Sequence, residues 1–233
     1  MNVNLRERLM SKPLNGWLVL CALLLCFMTV GATWAGDERT AIHADANDVQ
    51  PLLPGMVAPA FAARTVENQP FEFDPSAMEK PVVMTFFRGG WCPYCNMHLA
   101  EMRKAEAELK DMGFEVWFLS MDQPSQLVSS LQDPEIGYTM LSDAKAEATR
   151  GFGIAFRVDD ATIERYQGFG IDLEAASGET HHALPVPATF IVGQDGVINF
   201  TYANPSYTVR LHPDVLLAAA KAYKDDADKR LKR

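Results

Sequence analysis

Cys92 and Cys95 stand two residues apart in Trp91-Cys92-Pro93-Tyr94-Cys95, directly after the pair Gly89-Gly90. Thiols at this spacing can run an exchange cycle. One thiolate attacks a disulfide or an oxidised sulfur, and the other displaces it, closing an intramolecular disulfide. An apolar run rich in β-formers, Pro81 to Phe87, stops at the glycines, and a helical pattern follows the cysteines. Both thiols therefore fall on the first turn of a helix. The unpaired N–H groups there carry partial positive charge, which lowers a thiol pKa from about 8.5 towards about 7. Pro93 suits that turn, where a missing N–H costs nothing. Cys92, nearest the helix start, is the expected nucleophile, with Cys95 resolving.

Plainer readings stand beside this one. The pair could be a structural disulfide or half of a zinc site, although a structural zinc site needs four ligands and His would have to complete it. His181-His182 would be the partners for a copper or zinc reading, but a His pair in a polar loop is commonly just solvated. Asn96 stands where c-type haem attachment would need His. Trp91 is expected on the apolar rim by the sulfur, with ordinary core as its alternative. His98, three residues after Cys95, is a possible modifier of the thiol pKa.

The elements that must hold these residues follow from hydrophobic periodicity. Pro81–Phe87 reads as a strand buried on both faces. Leu99, Met102, Ala105, Leu109 and Met112 recur at helical spacing up to Gly113, and Phe114–Leu119 is the next strand. This strand–helix–strand unit puts the dithiol at the carboxyl end of its first strand, where parallel sheets gather their reactive groups. Before it, Met56–Phe61 and Phe71-Glu72-Phe73 read as a short hairpin around Glu67-Asn68-Gln69. After it come short helices over Pro124–Leu131 and Asp143–Gly151 around a brief Tyr138–Leu141 strand, then an acidic segment at 155–184 too long for an ordinary connection. That segment is expected as a covering insertion. Ala188–Val192 and Val197–Phe200 form a hairpin over Gln194-Asp195-Gly196, and a closing helix runs from Pro213 to about Tyr223.

At 233 residues and a net charge of −9, the chain has room for one sizeable domain or two small ones, and lacks the basic balance of a nucleic-acid binder. Arg6, Arg8 and Lys12 precede an apolar run from Trp17 to Ala32, with Ala32 or Ala35 as the small residue before a cut. Residues 1–35 thus read as a signal peptide or an uncleaved N-terminal anchor, and the protein as exported to a bacterial periplasm. Cleavage would discard Cys21 and Cys26, leaving Cys92 and Cys95 as the only thiols. A protein this size needs no disulfide for its core, and a bridge closing so small a loop stabilises less than a long one. Residues 36–54 are polar and read as a flexible lead-in, 55–225 as the redox domain, and 226–233 as a charged tail. No membrane insertion of the mature domain is expected.

Three segments together resemble the peroxiredoxin-like branch of the AhpC/TSA group, within the thioredoxin fold. They are Met56-Val57-Ala58-Pro59-Ala60-Phe61, Phe86 to Cys95, and Leu184 to Val192. Cys-Pro-Tyr-Cys is also similar to the glutaredoxin motif. The resemblance implies an α/β fold with a central mixed sheet flanked by helices and an N-terminal hairpin. Two departures stand out. That group precedes its peroxide-attacking cysteine with Pro-x-x-x-Thr/Ser-x-x-Cys, which orients and polarises the peroxide; here those positions hold Thr85 and Gly89. An Arg of the group at the later strand is replaced by Pro187, which matches the thioredoxin-type proline, usually cis, that leaves backbone free to pair with a substrate strand.

These swaps favour thiol–disulfide exchange through Cys92 and Cys95, with Trp91, Arg88 and Pro187 at the substrate and Arg88 as an anion-stabilising group. A thiol peroxidase is the close alternative, with Cys92 peroxidatic and Cys95 resolving. A copper- or zinc-binding protein without turnover and a redox-inert interaction module are the others. The expected partner is a thiol or disulfide protein, or a small thiol as electron donor, with peroxide as a further substrate. No Gly-x-Gly-x-x-Gly follows a strand, so no cofactor is expected.

Overall fold

Six consecutive buried residues, Val82–Phe87, make the strand that the rest of the sheet is laid against. The computed structural model describes residues 38–130 and 139–230, so the expected leader at 1–35, Tyr138 and the last three residues lie outside it. In chain order the elements begin with β1 (Phe61–Thr65), β2 (Pro70–Phe73), β3 (Val82–Phe87), α1 (Pro93–Asp111) and β4 (Glu115–Ser120). Then follow α2 (Pro124–Ser130), β5 (Thr139–Ser142), α3 (Glu147–Gly151), β6 (Ala155–Arg157), α4 (Asp160–Gly168) and α5 (Leu173–Ser177). The chain closes with β7 (Ala183–Pro185), β8 (Ala188–Val192), β9 (Ile198–Ala203) and α6 (Pro213–Arg230).

The main sheet has the order β2-β1-β5-β4-β3-β8-β9. β3 runs parallel to β4, with α1 as the crossover, and antiparallel to β8, so the sheet is mixed. Side-chain alternation along β3 divides the core. Val82, Met84 and Phe86 face a layer with Phe61, Phe73, Phe152 and Phe190, where the rings of Phe152 and Phe190 lie 4.8 Å apart. Val83 and Phe87 face the other layer, with Leu99, Met102 and Leu109 of α1 and Leu216 of α6. Cys92 and Cys95 belong to this second layer. α1 ends where Met112 N–H returns to the Glu108 carbonyl and Gly113 takes a φ of +85°, a conformation glycine adopts without a Cβ penalty.

Several expected boundaries move. The opening hairpin turns at Asn68 as expected, but its first strand is Phe61–Thr65 rather than Met56–Phe61. Val57 makes only an isolated bridge to Val197, because Pro59 lacks the N–H a ladder needs. Residues 39–54, most of the expected 36–54 flexible lead-in, pack on the domain instead. Leu52 is buried, its N–H donates to the Phe152 carbonyl, and the Arg157 N–H donates to the His43 carbonyl. Ala46, Val49 and Leu52 pack that strap on one core cluster, and Ile42 on another. α6 runs to Arg230, past the boundary at 225, because Lys, Asp and Ala there include no helix breaker. Pro187 is also corrected: no peptide bond among the described residues is cis. The chain passes extended from β7 into β8, with Val186 N–H donating to the Ile154 carbonyl and the Pro187 carbonyl accepting from Asn204 N–H. Both neighbours are thus already paired within the fold. Among the described residues, no helix is long and apolar enough to cross a membrane.

Candidate functional site

The carboxyl end of β3 delivers the chain into the Gly89-Gly90 turn, and the Cys92 N–H closes that turn on the Gly89 carbonyl at 3.1 Å. Cys92 is the extended cap residue of α1 and Pro93 its first helical residue. The Cys92 carbonyl accepts from the N–H groups of Cys95 and Asn96, and the Asn96 amide ties back to the Gly90 carbonyl at 2.8 Å. Both cysteines are reduced and buried, with Cys92 only 2% exposed.

Their environments drive the two thiols apart. Cys92 is pulled down to about 6, first by the hydrogen bond from Cys95 and then by the charges of Arg88 and Arg210, against the opposing effect of burial. Burial, with the neighbouring Cys92, pushes the Cys95 thiol well above its ordinary value. Near neutral pH this leaves a Cys92 thiolate beside a Cys95 thiol, as an attack-and-resolve sequence requires. Arg210 donates through Nη2 to Cys95 Sγ at 3.3 Å. Arg88 is buried, hydrogen-bonds the Tyr166 hydroxyl, and lies over the rings of Tyr207 (4.5 Å), Trp91 (5.1 Å) and Tyr166 (5.4 Å). Cation–π contacts of this kind fix a guanidinium where water is scarce.

Arg88, Trp91, Cys92 and Cys95 are therefore gathered in one place. Pro187 lies at the same sheet edge, one residue before Ala188, which pairs with Phe86. Residues 155–184 form the β6–α4–α5–β7 excursion, with β6 and β7 as a two-stranded sheet of their own. It lies against the site, where the ring of Tyr166 in α4 meets that of Trp91 at 5.8 Å, tilted by 55°. His98 is buried with Nε2 on the Leu211 carbonyl, and burial lowers it to about 4, so it stays neutral and meets neither sulfur. His181 receives the Ala183 N–H at Nδ1 and donates through Nε2 to the Ala144 carbonyl, while His182 meets Glu174 at 2.9 Å. Both imidazoles thus serve the fold. Among the described residues, no group of three His, Cys, Asp or Glu is placed to hold a metal.

Sequence reasoning missed Asp122, Arg210, Tyr166 and Tyr207. Asp122 carried a usable signal, since it follows β4 at the edge where parallel sheets collect reactive groups. Its carboxylate accepts the Gly90 N–H at 2.7 Å, and burial raises it to about 6 against that hydrogen bond.

A mixed sheet with a strand–dithiol helix–strand unit, an antiparallel β8–β9 hairpin and a closing helix defines a thioredoxin-like fold. Solved structures agree: BcpB of Mycobacterium tuberculosis aligns with a TM-score of 0.55 at 18% identity, over 72% of this chain and 96% of that one. Peroxiredoxin 6 of Arenicola marina, solved as a cysteine-to-serine mutant, gives 0.59 at 18%, over 76% and 75%. The AhpC/TSA family model matches residues 54–201. A putative peroxiredoxin bcp of Haemophilus influenzae is 30% identical over 108 residues, 46% of this chain and 68% of its own length. Peroxiredoxin Bcp of Escherichia coli is 24% identical over 106 residues, 46% and 67% respectively. The chain belongs to the AhpC/TSA family and is a thiol-based oxidoreductase.

Proposed function

We propose that the protein is a thiol-dependent peroxide reductase in which Cys92 is the attacking and Cys95 the resolving thiol. The observation that carries this reading is a thiolate-prone Cys92 that is only 2% exposed. A small oxidant needs little more than a narrow approach to the sulfur, whereas a protein disulfide needs an open edge. The backbone that would pair with a substrate strand is also engaged, at Val186 with Ile154 and at Pro187 with Asn204. The relatives named peroxiredoxin point the same way.

In the cycle, Cys92 Sγ attacks one peroxide oxygen, the O–O bond breaks, and the leaving oxygen takes a proton. Cys92 becomes a sulfenic acid, which Cys95 condenses with to give a disulfide and water. Arg88, held by three aromatic rings, stabilises the charge that develops on oxygen. A small thiol or a thiol protein then re-reduces the pair. Disulfide exchange is the second reading, favoured by the close dithiol at a helix start. Export through residues 1–35 belongs to the proposal, and the mass of the protein recovered from a periplasmic fraction tests it: loss of those residues is expected, and an intact N-terminus overturns cleavage.

The deciding experiment follows Trp fluorescence of the reduced protein mixed with hydrogen peroxide, and separately with a glutathione redox buffer. Cys92→Ser and Cys95→Ser serve as controls. Peroxide oxidation at about 10⁵ M⁻¹s⁻¹ or faster, within the usual enzymatic range, is expected. It should vanish in Cys92→Ser and stop at a sulfenic acid in Cys95→Ser. Slow reaction with peroxide but clean two-electron equilibration with glutathione would replace this reading with disulfide exchange.

A further inference from the structure

The peroxide chemistry proposed above needs a proton for the leaving oxygen, and the family's hydroxyl three residues before the attacking cysteine is absent here. Gly89 holds that position, and the space beside it is already taken. A Cβ built on Gly89 would lie 2.2 Å from Trp91 Nε1 and 2.7 Å from Asp122 Oδ1. The Trp91 indole thus fills the place where a side chain at 89 would begin, with a carboxylate oxygen from the end of β4 beside it.

Asp122 is held there firmly. It is 2% exposed, its Oδ2 accepts the Gly90 N–H, and its backbone N–H donates to Ser120 Oγ at 2.9 Å. Its Oδ1 lies beside the Trp91 indole, which also hydrogen-bonds the carboxyl, while Nε of Arg88 is buried without a hydrogen-bond partner. A native fold rarely leaves such an atom unpaired unless it has a task or a bound small molecule. Asp122 and Arg88 line one small cavity, of about 10 Å³, together with Trp91, Ser177 and His182. That is the order of space one water occupies.

We propose that Asp122 is the proton donor to the leaving oxygen when Cys92 attacks a peroxide, in place of the hydroxyl missing at position 89. The inference rests on the peroxidase reading. The Cys92 thiolate forms the S–O bond with the near oxygen. The O–O electron pair passes to the far oxygen, which takes the proton from Asp122 and leaves as water or an alcohol. Asp122 is left ionised, Cys92 is oxidised to the sulfenic acid, and the peroxide is reduced. The cavity beside Arg88 has room for one water that could return the proton to the carboxylate. Two anions side by side are unfavourable, so the Cys92 thiolate itself favours a protonated Asp122. Burial brings Asp122 to about 6, close to the working range of a general acid near neutrality.

The test compares two reagents at one sulfur. Iodoacetamide alkylation needs the Cys92 thiolate, but its iodide leaves without a proton; hydrogen peroxide needs both. In Asp122→Asn, which keeps the shape but cannot deliver an acid proton, peroxide oxidation should fall about 100-fold, the usual contribution of general acid catalysis. Alkylation of Cys92, read by mass at the same pH, should stay within about twofold. Asp122→Ala, which carries no donor at all, gives the same comparison if Asp122→Asn does not fold. Equal loss of both reactions would make Asp122 a structural support, and loss of neither would make it a bystander; either result overturns the proposal. A wild-type protein that alkylates readily but ignores peroxide would instead overturn the peroxidase reading, and the inference with it.

Discussion

The hydrogen bond from Cys95 and two arginines act on one sulfur, and their order of influence can be tested. Loss of the Cys95 hydrogen bond should raise the Cys92 pKa most, loss of Arg88 less, and loss of Arg210 least, each moving it from about 6 towards an ordinary thiol. The pH profile of iodoacetamide alkylation measures this directly. The wild-type midpoint is expected near 6, with midpoints rising in the order Arg210→Met, Arg88→Met, Cys95→Ala. A wild-type midpoint near 9 would mean that burial, and not these donors, governs the sulfur. Cys92 and Cys95 were legible in the sequence because a Cys-x-x-Cys turn is local and its chemistry needs only its own backbone. Their modifiers were not. Asp122 lies 32 positions from Gly90, Tyr166 lies 78 from Arg88, and Arg210 lies 115 from Cys95, so only the folded chain brings them together.

Among the elements, those with one strong period were the legible ones. β3 shows an unbroken apolar run, and α1 a helical stripe closed by Gly113. The strap at 39–54 has few apolar side chains and is seated as much by backbone pairing, which leaves no mark on residue type. α3 is short and depends on a residue outside it. Asp143 is buried and takes the N–H groups of Ala148 (3.0 Å) and Thr149 (2.7 Å), two donors that the first helical turn cannot satisfy itself. Asp143→Ala strands both in the core. A loss of about 2 kcal/mol is expected, within the range for removed caps and unpaired buried donors, read as a lower urea midpoint. A midpoint unchanged from wild type would mean that α3 finds other partners. This cost should not touch Cys92 alkylation, because Asp143 serves α3 and not the Gly89-Gly90 turn.

For the molecule as a whole, burial of ionisable groups sets how stability varies with pH. Asp122 and Asp143 are both raised to about 6, so between about pH 4 and 6 the folded protein keeps protons that the unfolded chain has released. Each therefore lowers stability as pH rises through that window. His98, lowered to about 4, does the reverse, since its unfolded form takes up a proton that the buried ring refuses. Two groups against one leave about one proton, a fall of about 1.4 kcal/mol per pH unit. Above pH 6 the sign changes in the reduced protein. Cys92 ionises near 6 when folded and near 9 when unfolded, so its thiolate adds stability as pH rises between those values. The reduced protein should thus have a minimum in its urea midpoint close to pH 6. His98→Asn should steepen the descent from pH 4, and Cys92→Ser should remove the recovery towards pH 9. A midpoint that climbs steadily from pH 4 to 6 would mean that the two buried carboxyls are ionised in the folded state. That result would also deprive Asp122 of the proton it is proposed to give.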